Sequence, residues 1–181
     1  MGFPIFADQV KIVPAFQDQT GAAIAGDWVN MEGYGGCLIL MHEMRGADAT
    51  ATVVRVDKAR TVAGGDQSTG ITMDNFWYSQ DRASVTGDVG ATAAATVGST
   101  DVWTKGTAAA SFSGSTTQSV GQWVVIDVNA DDLPDSTYED YNCIQLQVVS
   151  SNAAHYISAW YVLYNPRYAR NMADQPTALT N

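Results

Sequence analysis

The chain has 181 residues, 46% of them apolar, with five Trp, eight Tyr and five Phe; one domain of this size can bury roughly 70% of the surface its unfolded form exposes. Nineteen acidic residues against nine basic ones give a formal charge of -10, which repels phosphate backbones and anionic headgroups, so no nucleic acid and no membrane is expected as a partner. Cys37 and Cys143, the two cysteines, have neither the density of a disulfide scaffold nor the paired spacing of a zinc site, and are expected to be buried thiols.

In chain order, Met1 to Asp8 has no basic stretch followed by an apolar one, and no later apolar run approaches a membrane span. Met1-Gly2 invites a myristoylation reading, but Phe6 stands where that motif wants Ser or Thr. The expectation is a chain made and kept in a cytosol until assembly. Phe3, Pro4, Ile5 and Phe6 are apolar in a terminal segment, a pattern that marks an interface, so residues 1–12 are expected to form an N-terminal arm and first strand that docks on a partner.

Residues 13–170 are expected to form one β-sandwich. No stretch carries apolar residues at helical spacing over three turns with credible caps, whereas strand signals recur throughout. Cys37 to Met41, Trp123 to Ile126 and Tyr156 to Leu163 are apolar on both faces, which requires cover on both sides from a second sheet or from a neighbouring subunit. Thr50 to Val56 alternates, with Thr52, Val54 and Val56 on one face. Cys143 to Val149 alternates more cleanly, with Ile144, Leu146 and Val148 opposed to Gln145 and Gln147, giving that strand one wet or hydrogen-bonded face. Turn residues at Gly33 to Gly36, Arg45 to Asp48, Ala63 to Asp66 and Asn165-Pro166 separate the runs. Eight or nine short strands of this kind predict an all-β, single-domain β-sandwich of jelly-roll type.

Between Ala83 and Thr117, twenty-six of thirty-five residues are Ala, Gly, Ser or Thr. This stretch is either a long surface excursion containing a hairpin, nucleated by Val102 to Lys105 and by Phe112, or a flat small-residue surface suited to packing on a repeated lattice. Residues 171–181 are polar and aperiodic and are expected to be a tail that is disordered or orders on a partner.

Groups that carry chemistry are scarce. His42 and His155 are the two histidines, each expected at a strand end and partnered by a carbonyl or water; neither sits near a Gly-x-Ser-x-Gly elbow or a His-Glu-x-x-His motif. No Gly-x-x-x-x-Gly-Lys-Ser/Thr phosphate cradle is present. Asp127, Asn129 and Asp131 match the first ligand positions of a calcium loop, but Asp132 replaces the required glycine and Tyr138 the bidentate Glu, so an acidic turn is expected there instead. Trp160, Tyr161, Tyr164 and Tyr168 with Arg167 and Arg170 suit either a sugar-stacking platform or a core strand leading into an oligomer contact. No enzymatic activity, metal or cofactor is expected.

Taken as a set, the motifs resemble a known group. Ile12-Val13-Pro14, Gly26-Asp27-Trp28-Val29-Asn30, Tyr34-Gly35-Gly36, Val102 to Lys105, Val125 to Leu133, Tyr141 to Ile144 and Leu163 to Tyr168 follow one another as in small proteins encoded among the head genes of tailed bacteriophages, which include capsid decoration, cement or head-stabilising proteins. The most specific parts are Ile-Asp-x-x-Ala-Asp-x-Leu at 126–133 and Pro-Arg-Tyr at 166–168; residues 83–100 do not match and read as an insertion. The resemblance implies a β-sandwich virion protein on the capsid exterior, bound to the major capsid protein and assembled as a homotrimer. Phe3, Pro4, Ile5, Phe6, Tyr164, Arg167 and Tyr168 are the candidate capsid or protomer contacts. Another phage structural component, such as a head-fibre base or tail protein, and a carbohydrate-binding sandwich module are the alternatives.

Overall fold

The computed structural model describes residues 10–44, 50–83, 103–114, 120–136 and 139–166. Eleven strand segments follow in order. The first five are β1 (Val10–Gln19), the two-residue β2 (Ile24–Ala25) and β3 (Val29–Asn30), β4 (Tyr34–Met44) and β5 (Val53–Ala59). Next come β6 (Asn75–Ala83), the two-residue β7 (Thr104–Lys105) and β8 (Phe112–Ser113), β9 (Val120–Asn129), β10 (Cys143–Ser150) and β11 (Tyr156–Pro166). The only helix among the described residues is a single 3-10 turn at Ala130–Asp132. The count exceeds the eight or nine strands expected because four segments are only two residues long, too short to leave a periodic trace in the sequence.

Six strands form one sheet in the order β1-β11-β4-β9-β6-β7, and the second sheet runs β2-β10-β5-β8, with β3 also paired to β10. Along the chain the path crosses repeatedly from one sheet to the other, so that β1-β11-β4-β9 faces β2/β3-β10-β5-β8. That is the strand order of a jelly roll, and β6 and β7 extend one of its sheets beyond β9. All pairings are antiparallel.

The three runs that are apolar on both faces are β4, β9 and β11, the central strands of the six-stranded sheet. Their inward side chains build the core. Val13, Tyr161, Ile39, Ile126 and Phe76 form one row across that sheet and meet Val54, Val56, Ile144, Leu146 and Val148 from the other, all buried. Each such side chain contributes about 1.5–3 kcal/mol when fully withdrawn from water. Cys37 and Cys143 are buried free thiols. Tyr161 pins the layers together: its hydroxyl accepts from the Leu146 amide at 2.8 Å and donates to the Asp27 carbonyl at 2.9 Å, and burial raises its pKa.

The Ala83–Thr117 stretch differs from expectation where it is described. Thr104–Lys105 pairs with β6 and Phe112–Ser113 with β5, so the two nuclei belong to different sheets and form no hairpin with each other. The Phe112 ring lies 5.3 Å from Phe76 and 4.9 Å from Tyr78, anchoring the stretch between the layers. β1 crosses the boundary drawn at residues 12 and 13. Residues 84–102 and the tail at 171–181 lie outside the described residues.

Candidate functional site

Each sheet has a second face turned away from the shared core, and the two differ in chemistry. On the five-stranded sheet, Arg55 and Asp57 on β5 stand opposite Gln147 and Gln145 on β10. Arg55 Nε lies 2.9 Å from Asp57 Oδ1, the Gly70 amide donates to that same oxygen at 2.8 Å, and the Gln147 amide nitrogen donates to Gln145. This is the hydrogen-bonded face anticipated from the alternation of Cys143 to Val149.

The outer face of the six-stranded sheet is apolar along its central row as far as β6, with polar side chains in the rows on either side. Residues directly opposite one another on paired strands share a face, and the register places Pro14, Trp160, Leu40, Val125, Trp77 and Lys105 in one continuous row over six strands. The row on one side of it runs Ile12, Val162, Leu38, Asp127, Asn75. On the other side lie Ser158, His42, Trp123 and Ser79, followed by Tyr156 and Met44. Among the described residues four large hydrophobics are exposed: Ile12 at 57%, Met44 at 54%, Tyr156 at 57% and Trp103 at 48%. The first three stand on this face; Trp103 immediately precedes β7. The His42 ring lies against the Trp123 ring, with centroids 4.4 Å apart.

Polar groups on this face are held by one another. The Tyr164 hydroxyl donates to Asp127 Oδ1 at 2.8 Å, and burial, followed by that carboxylate, pushes the Tyr164 phenol up to about 12. The ring reaches across β4 because Gly36 stands opposite it; a Cβ there would lie 2.2 Å from the tyrosine oxygen. Lys105 Nζ donates to Asn75 Oδ1 at 3.2 Å and lies 5.7 Å from the Trp77 ring centroid.

Tyr164 is also paired with Val10, and Pro166 ends β11 two residues later. The chain therefore enters the described sandwich and leaves β11 side by side, at one end of the six-stranded sheet. Of the candidate contact residues, Tyr164 sits at that end, while Phe3, Pro4, Ile5 and Phe6, which precede Val10, and Arg167 and Tyr168, which follow Pro166, lie outside the described residues. Of the aromatic set, Tyr161 points into the core, as a core strand requires, Trp160 and Tyr164 face outward, and Arg167, Tyr168 and Arg170 lie outside the described residues.

The stretch matching a calcium loop is organised around a lysine. Lys58 is buried; its Nζ donates to the Leu133 carbonyl at 2.7 Å, lies 2.7 Å from Asp135 Oδ2 and sits 4.4 Å from the Tyr141 ring centroid. Asn129 Oδ1 caps the 3-10 turn by accepting from the Asp131 amide at 3.2 Å, and Asp127 is engaged by Tyr164. A cleft of about 380 Å³ beside this turn is lined by Lys58, Asp74, Asn75, Asp127 and Asp135 among others. Among the described residues no three His, Cys, Asp or Glu side chains converge to hold a metal ion. The Ile126 to Leu133 motif is thus a strand end and turn fixed by a cation of the chain itself.

His155 is partnered by a carboxylate where a carbonyl or water was expected. Its Nδ1 donates to Glu43 Oε1 at 2.9 Å with both side chains fully buried. Thr52 donates to the same carboxylate, and Thr52 Oγ1 and Ser151 Oγ lie 3.3 and 3.4 Å from His155 Nδ1. A Ser–His–acid relay needs the hydroxyl at Nε2 and the acid at Nδ1. Here every partner gathers on Nδ1, while Nε2 is buried with no hydrogen-bond partner among the described residues. The cluster ties β4 to the segments leading into β5 and β11, and its geometry suits a clamp and not a nucleophile. Sequence reading passed over Glu43 although the alternation Ile39, Met41, Glu43 already aims it inward.

Searched against known proteins, the chain matches no family model and no curated protein.

Proposed function

We propose that this chain is a non-enzymatic structural subunit of a tailed-phage head that sits on the outside of the capsid shell, binds the major capsid protein and stabilises the shell. One observation carries the assembly part of this reading: three of the four exposed large hydrophobics of the described residues, Ile12, Met44 and Tyr156, fall on a single sheet face. Contiguous apolar faces on a folded domain belong to interfaces. The head-protein part is supported by the motif series that ends in Pro166-Arg167-Tyr168.

The shared end of the sheet supplies a mechanism. Apolar Phe3 to Phe6 lead into Val10, and Arg167 and Tyr168 follow Pro166, so both candidate contact segments depart from the Tyr164 end of one rigid body. Two short contacts projected from a common scaffold reinforce each other through effective concentration, which lets individually weak contacts hold a shell.

Co-sedimentation with heads lacking this chain tests the reading. The full chain is expected to pellet with them saturably, and deletion of residues 1–8 is expected to weaken binding at least about tenfold. A full chain that stays in solution beside empty heads, or that binds tails alone, removes the capsid reading.

A further inference from the structure

We propose that polar pegs, one on each of its three central strands, set the register of the six-stranded sheet and so decide which side chains form its core face and which its outer one. The device does not depend on what the chain binds.

Neither usual determinant of register acts on these strands. Where a strand alternates, a slip of one residue turns its apolar side chains outward, so alternation fixes the pairing. β4, β9 and β11 are apolar on both faces: a slip of β4 exchanges buried Cys37, Ile39 and Met41 for half-buried Leu38 and Leu40, one apolar set for another. A tight hairpin turn also fixes register, but the neighbours β1-β11-β4-β9-β6 are nowhere consecutive in the chain.

Each central strand instead carries a polar group whose partner lies on another element. On β4 it is Glu43, buried and 2.9 Å from His155 Nδ1, with Thr52 donating to it. On β11 it is Tyr161, whose hydroxyl meets the Leu146 amide and the Asp27 carbonyl. On β9 it is Asp127, which accepts from Tyr164 across β4 on the outer face. A slip of one residue turns Glu43 away from His155, withdraws the Tyr161 hydroxyl from two backbone groups, or drives the Asp127 carboxylate into the core. A slip of two keeps the faces but carries each group about 7 Å from its partner. Each error breaks a polar pair, and the buried members are left unsatisfied. Apolar packing, nearly equal in either register, does not compensate.

Cross-strand disulfide trapping tests this. Leu40 and Val125 are opposite each other on the outer face, whereas Val124 is buried in the core. Leu40→Cys with Val125→Cys therefore reports the observed register, and Leu40→Cys with Val124→Cys a slip of one. With the pegs in place, only the first pair is expected to bridge under mild oxidation, the bridge being located by peptide mapping. The pegs of β4 and β9 are then replaced together with their partners, by Glu43→Leu with His155→Leu and Asp127→Leu with Tyr164→Phe, while Thr52 and Ser151 keep each other at 3.3 Å. Exchanging both members of a pair for apolar bulk leaves no charge stranded, so this chain is expected to keep its β circular dichroism. The bridge between positions 40 and 124 is expected to rise at least about tenfold. A bridge at 40 and 124 with the pegs still present overturns the proposal. So does a chain without pegs that bridges only at 40 and 125, which gives register to packing and the flanking turns, or one that loses its β structure, which makes the pegs supports of the fold in any register.

Discussion

Several single residues hold more than their own position. Tyr161 bridges the sheets by two hydrogen bonds, so Tyr161→Phe is expected to cost about 1–3 kcal/mol in urea unfolding, because the Leu146 amide and Asp27 carbonyl lose their partner while the ring still packs. Gly36 is small because Tyr164 lies across it. Gly36→Ala is expected to displace the ring, break the bond to Asp127 and lower the Tyr164 phenol from about 12 toward its ordinary 10.0, read by ultraviolet pH titration. Thr52→Val keeps the shape of the buried clamp and removes one donor to Glu43; a loss of about 1–3 kcal/mol is expected in the same unfolding assay. Such residues are only partly legible in sequence. Glu43 is aimed inward by simple alternation, but its meeting with Thr52, Ser151 and His155 depends on contacts about 100 positions apart, which no local pattern encodes.

At the scale of elements, the long strands are legible because period-two alternation and two-faced apolar runs are local consequences of the pleat. β4, β9, β10 and β11 stand where those patterns predict. β2, β3, β7 and β8 are not legible, since two residues carry no period and their pairing is decided by the sheet they land on. Thr104–Lys105 and Phe112–Ser113 were therefore joined in expectation and separated in fact. The turn after β9 is legible as a strand end and acidic turn, but what holds it is not: the cation that meets its acids comes from Lys58, 77 positions from Asp135 in the chain. Lys58→Met is expected to loosen that turn, speeding amide hydrogen exchange at Ala130 to Asp135 at least about tenfold while the exchange of β4 and β11 is unchanged. Addition of calcium is expected to leave the wild-type exchange pattern as it is.

For the whole molecule, the thiols and phenols that folding withdraws from water predict alkaline sensitivity. Burial raises Cys143 from its ordinary 9.0 to about 11 and Tyr164 from 10.0 to about 12, and also raises Cys37, Tyr34 and Tyr161. A folded-state pKa above the unfolded one means that the native state holds its proton longer. That stabilisation is complete below about pH 9 and is lost as pH climbs through 11 and 12. The melting temperature is expected to fall steeply above pH 9.

The faces turned away from the core differ: hydrogen-bonded polar side chains, Asp57 and Gln145 among them buried, on the five-stranded sheet, and an apolar central row on the six-stranded one. The apolar runs of β4, β9 and β11 announced a need for cover on both faces. Which face the second sheet covers, and which it leaves, follows only from the jelly-roll path. The central claim is that this face, which the second sheet leaves free of its described strands, is an assembly face on a head protein. Electron cryomicroscopy of assembled particles tests it most directly: the account predicts this jelly roll on the outside of the capsid with Trp160, Leu40 and Trp77 excluded from solvent. A particle in which that face looks out into water, or in which the chain lies away from the head, contradicts it.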